Sequence, residues 1–230
     1  MEPLVSLESL AKLLDHPLVA PDLTDEQVIA GLELAKRYRI ASATVRPCDI
    51  DLAVRTLAGS GVTPAAVCGF PHGSSGTATK LYEARDLVRR GAREISLVAA
   101  ISKLLSREFQ YVQMELLQAS EVCHKEGALL TVILETAYLS DELKIIGCRC
   151  AERAEVDFVQ TSTGFAPPGD LLADVVLLRR HLPAEIGVKA AGVQTLDQAI
   201  EAYEAGCTRL VTTATAAILD EWTAPQGLRP

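Results

Sequence analysis

The sequence predicts an α/β fold, a (β/α)₈ TIM barrel in a single domain over residues 1–230 with a short N-terminal helix. Three observations carry that expectation. Short apolar runs alternate with amphipathic stretches almost to the end of the chain, the rhythm of parallel strands joined by crossover helices. The runs are continuously hydrophobic, as strands buried on both faces require. A chain of 230 residues, 49% of them hydrophobic, can close eight βα units around one core. An open doubly wound sheet is the alternative, but neither GxGxxG nor GxxxxGKS is present to mark a nucleotide crevice.

Taken in order, a short leading helix precedes the first strand, LLDHPLV (13–19). Thr24-Asp25-Glu26-Gln27 has the pattern of a capping box, opening a segment whose Leu32, Leu34 and Ala35 carry helical periodicity before the strand IASATVRP (40–47). Gly59 stops the next helix ahead of TPAAVCGF (63–70), and Gly91 the one ahead of REISLVAA (93–100). Val112, Leu116, Leu117 and Val122 give a helical stripe that ends at Gly127, before ALLTVILET (128–136). Ser140-Asp141-Glu142 reads as an N-cap, and VDFVQTS (156–162) as the sixth strand. Leu172, Val175, Val176 and Leu178 form the helical stripe before EIGVKAA (185–191). Gly206 precedes the last strand, TRLVTTA (208–214).

Lys and Arg number 22 against 30 Asp and Glu, a net charge of −8 that argues against a nucleic-acid partner. Six cysteines without paired CxxC spacing point to reduced thiols; Cys148 and Cys150, the one close pair, would project about 200° apart on a helix. No run reaches about 18 uninterrupted apolar residues and the N-terminus has no signal-peptide pattern, so no membrane partner and a cytoplasmic location are expected. The sequence leaves the oligomeric state open, a homodimer included.

In such a barrel the site is built at the C-terminal ends of the strands. Of seven lysines, five fall in expected helices, where solvated roles are normal, and Lys103 falls in the loop after strand four. Lys189 lies inside the apolar run IGVKAA, where an ammonium is costly unless it faces a polar site. A lowered pKa there would suit a base or a carbonyl-condensing amine; a buried ion pair is the structural alternative. Asp15 and His16 stand at the exit of the first strand, Glu135 ends VILET, and His72 sits in the tight turn GFPHG. Spacing among Asp15, His16, His72 and Glu135 carries no metal signature, so neither metal nor other cofactor is expected.

LLDHPLVAPDLT, VCGFPHG, KLYEARDLVRRGAREISLV, VILET, VDFVQTSTGF, VKAAG and RLVTTATAAIL together resemble, in order over about residues 10 to 220, the deoxyribose-phosphate aldolase family of class I aldolases. The resemblance implies the same barrel and the reversible cleavage of deoxyribose 5-phosphate to glyceraldehyde 3-phosphate and acetaldehyde. It also exposes departures. The family's Schiff-base lysine, immediately before TSTG, is Gln160 here; its strand-four acid is Ser96 and the following asparagine is Ala100. The second family lysine is kept as Lys189. The glycine-rich phosphate turn reads Ala191-Gly192-Val193-Gln194-Thr195, and the last turn Val211-Thr212-Thr213.

The resemblance therefore implies a divergent family member acting on a small carbonyl or sugar-like substrate, with a phosphate as an open question. Catalytic candidates are Lys189, Asp15, Gln160, Ser96 and Glu135; Thr161, Ser162, Gly192, Thr212 and Thr213 are candidates for substrate binding. One expectation is aldol-type C–C cleavage or condensation with Lys189 as the amine. A second is imine-free acid/base catalysis by Lys189, Asp15 and Glu135, with Gln160 donating to an oxyanion. The third is a non-catalytic ligand-binding relative. All the catalytic candidates are expected near one barrel mouth, with Lys189 lacking a cationic neighbour.

Overall fold

The architecture is given by a computed structural model that describes residues 6–223; the outermost parts of the expected single domain, 1–5 and 224–230, lie outside the described residues. Eight parallel strands close into a barrel in sequence order. They are β1 (Leu14–Leu18), β2 (Ser42–Val45), β3 (Thr63–Cys68), β4 (Glu94–Val98), β5 (Leu129–Ile133), β6 (Phe158–Gln160), β7 (Gly187–Ala191) and β8 (Arg209–Val211). Each falls inside the run that predicts it. Around them lie α1 (Leu7–Ala11), α2 (Asp25–Tyr38), α3 (Ile50–Leu57), α4 (Thr77–Arg89), α5 (Ile101–Leu105), α6 (Phe109–Lys125), α7 (Asp141–Arg153), α8 (Leu171–His181), α9 (Leu196–Glu204) and α10 (Thr215–Thr223).

Local chemistry sets these boundaries. Thr24 and Gln27 form the reciprocal capping box of α2, and Ser140 caps α7 by accepting from the Leu143 amide. The glycine stops fall just beyond α3, α4, α6 and α9; Gly91 takes φ +110°, a conformation side-chain-bearing residues avoid. The core is one continuous aliphatic cluster that fills the space between strands and helices.

Three local expectations are corrected. Lys103 lies within α5, not in a loop. Lys80 on α4 is fully buried, not solvated: its ammonium donates to Val98 O (2.8 Å) and Glu115 Oε2 (3.0 Å). Leu172 and Val176 on α8 are 43% and 50% exposed, because the buried face of that helix is set by Asp174, Val175 and Leu178.

Strand register fixes which residues share a level. Asp15 stands beside Ser42 and Val211, Ser96 beside Thr131, and Lys189 between Gln160 and Arg209.

Candidate active site

A cavity of about 300 Å³ opens among the C-terminal ends of the strands. Its polar lining comes from Thr44, Ser96, Gln160, Thr163, Gln194 and Thr213, its apolar lining chiefly from Pro17, Val67, Ile133, Val211 and two aromatic rings. Phe70, after β3, and Phe165, after β6, meet edge to face at 5.3 Å. Every residue lining this cavity is neutral.

Gln160 ends β6, and its Nε2 donates to Ser162 O at 2.6 Å, which folds the amide into the following turn. Its register partner Lys189 goes the other way. The ammonium donates to Asp15 Oδ2 (2.6 Å) and to Glu94 Oε1, and lies 4.6 Å from the centre of the Phe158 ring. Glu94, Phe158 and Arg209 occupy the first positions of β4, β6 and β8, so the amine is drawn toward the N-terminal side of the barrel, away from the cavity. Arg209 Nη1 donates to Asp15 Oδ1 (2.7 Å), and its guanidinium faces the same ring at 5.3 Å. The expectation that Lys189 lacks a cationic neighbour is thus corrected by Arg209.

The charges follow from these contacts. Burial alone would push Lys189 down, but the Asp15 and Glu94 carboxylates outweigh it and hold the amine above its ordinary 10.5. Burial would push Asp15 up; Lys189 and Arg209 overcome this and hold its carboxyl below 3.8. Lys189 is therefore an ammonium at neutral pH, 1% exposed and engaged on two sides. An amine in that state is not a nucleophile.

Of the catalytic candidates, Ser96 and Gln160 line the cavity, whereas Asp15 and Lys189 are in the barrel interior and do not. Glu135 does not line it either, being buried behind Thr163: its Oε2 accepts from Thr163 N (3.1 Å) and Thr163 Oγ1. The binding candidates are divided. Thr213 lines the cavity; Thr161 and Ser162 line an adjacent cleft of about 450 Å³, and Gly192 borders both. Thr212 is turned away, its Oγ1 accepting from Ala214 N (2.9 Å) ahead of α10. His16 packs outside the barrel wall, Nδ1 2.9 Å from Thr215 Oγ1, and burial pushes it below 6.5; His72 is exposed. Burial pushes Cys148 up to about 12 and also raises Cys150, so that pair stays as thiols.

Sequence reasoning missed Glu94 and Arg209. The signal was available, because Glu94 precedes Ser96 by two in β4 and Arg209 precedes Val211 by two in β8, and alternate residues share a strand face.

With this geometry in view, the comparisons with known proteins are decisive. Residues 11–212 match the DeoC/LacD family of aldolases. The chain belongs to that family. Deoxyribose-phosphate aldolase of Caldanaerobacter subterraneus subsp. tengcongensis is 40% identical over 225 residues, covering 97% of each protein. That of Bacteroides thetaiotaomicron is 37% identical over 219 residues, covering 95% of this chain and 92% of the relative. Among solved structures, the tetrameric deoxyribose phosphate aldolase of Aeropyrum pernix superposes with a TM-score of 0.88 at 28% identity, covering 95% and 93% of the two chains. A structure described as QR15, an aldolase, gives 0.87 at 31%, covering 93% and 95%. As a member of this aldolase family the protein is an aldolase-like C–C lyase, and the resemblance read from TSTGF, GFPHG and VKAAG is borne out. No helix among the described residues is long and apolar enough to cross a membrane.

Proposed function

We propose that the protein cleaves or forms a C–C bond in a small hydroxycarbonyl compound, bound in the mouth cavity, without passing through an imine. One observation carries this reading: the cavity is lined by neutral donors, while the one lysine in the barrel strands, Lys189, is committed as an ammonium to Asp15 and Glu94. Ser96 and the second amide hydrogen of Gln160 suit a carbonyl oxygen whose charge grows in the transition state. Supporting a phosphate on the substrate, α10 begins at Thr215, two residues beyond the cavity-lining Thr213, and helix N-termini favour anions.

The neutral lining also favours a second reading, a ligand-binding protein without turnover. Incubation with 2-deoxyribose 5-phosphate, followed by NMR before and after borohydride treatment, separates the readings. The expected result is that protein treated with borohydride in the presence of the sugar phosphate, then freed of reductant, still releases aldehyde from fresh substrate. Loss of turnover together with a reduced adduct at Lys189 would return the chemistry to an imine, and binding without release would support the ligand-binding reading.

A further inference from the structure

Resting on that imine-free reading, we propose that Thr163 and Glu135 form a proton relay, with Thr163 touching the substrate and Glu135 acting through it. The cavity itself holds no ionisable group, yet cleaving an aldol requires a group that takes a hydroxyl proton. Thr163 lines the cavity, and among the described residues it is the cavity-lining side chain hydrogen-bonded to a carboxylate. Its hydroxyl donates to Glu135 Oε2, its own amide donates to the same oxygen (3.1 Å), and its Oγ1 accepts from Phe165 N (3.1 Å). A lone pair of Oγ1 is left for a substrate hydroxyl.

Glu135 is built for more than surface solubility. It is 2% exposed, and its Oε1 is buried with no hydrogen-bond partner among the described residues. Its backbone sits at φ +54°, ψ +63°, a left-handed conformation that costs a side-chain-bearing residue of order 1 kcal/mol or more. That conformation ends β5 and turns the carboxylate under the loop after β6.

In the cleavage direction the substrate hydroxyl passes its proton to Thr163 Oγ1 while the Thr163 proton passes to Glu135 Oε2. The oxygen left behind forms a carbonyl, the C–C bond breaks, and its electron pair moves onto the other carbonyl as an enolate. Glutamic acid 135 then returns the proton through Thr163 to the enolate carbon, so the relay ends as it began and no further reagent is consumed.

The test uses 2-deoxyribose 5-phosphate with steady-state kinetics, calorimetric binding and thermal unfolding. Glu135→Gln keeps an oxygen that accepts from Thr163 but is not a base. It should lower kcat at least about 100-fold with KM, Kd and Tm unchanged. Thr163→Ser should stay within a few-fold of wild type, Thr163→Val should match Glu135→Gln, and the double variant should be no slower than either single one. Wild-type kcat in Glu135→Gln, or a loss tracking a fall in Tm and not shared by Thr163→Val, overturns the relay while leaving the imine-free reading in place. Wild-type protein that binds the sugar phosphate without cleaving it removes both.

Discussion

At the scale of single residues, Lys189 shows how far a long side chain separates its charge from its backbone. Its Cα is level with Gln160, yet the ammonium reaches Glu94, two residues below the level of Ser96. Replacing it by Met leaves Glu94 buried without a cation and Asp15 with Arg209 alone, which should destabilise the fold by about 3–5 kcal/mol. Urea unfolding measures this, and its pH dependence follows from the shifts. Because Lys189 is held above 10.5, its contribution is complete below that pH and is lost as pH rises through the folded value. Asp15, held below 3.8, contributes fully above 3.8 and loses its contribution as pH falls through the lower folded value. Lys189→Met should abolish the alkaline loss; an unchanged alkaline profile would deny the buried pairing. The sequence makes Lys189 legible as the lysine to explain and Gln160 as the missing amine. The direction of the Lys189 stem is not legible, since a strand position fixes the Cα level and leaves four methylenes free to carry the charge to another layer.

At the scale of elements, caps and glycine stops were readable because they depend on neighbours within four residues, as Thr24 with Gln27 and Ser140 with Leu143 show. Lys80 was harder. It falls on the stripe Lys80, Ala84, Leu87 and Val88 of α4, so periodicity puts it inward, but its partner Glu115 lies 35 positions away on α6. Thr77 Oγ1 and the Ala100 amide also bind Glu115, so this buried cluster fastens α4 and α6 to the exit of β4. Lys80→Met, with Glu115 left behind, should cost about 3–5 kcal/mol, and Lys80→Met with Glu115→Leu much less, because the second change removes the stranded charge. Chemical denaturation of both variants checks the order. Equal losses would mean that packing, not the ion pair, sets the cost.

At the scale of the whole molecule, eight apolar runs were enough to predict the closed barrel, since strands buried on both faces and joined by crossover helices have few other arrangements. The site was legible as a set of strand exits but not as two levels. The sequence places Asp15, Ser96, Gln160 and Lys189 together; the fold separates a neutral cavity from a charged interior beneath it. That separation is the central claim, and reductive trapping tests it most directly. Wild type and Gln160→Lys are incubated with acetaldehyde and cyanoborohydride at neutral pH, digested and mapped by mass spectrometry, with exposed Lys125 as the internal reference. The expected result is labelling of Lys125 but not of Lys189 in wild type, and a new adduct at position 160 in the variant, whose added amine faces the cavity without a carboxylate to hold its proton. An adduct on Lys189 of the wild-type protein would contradict it.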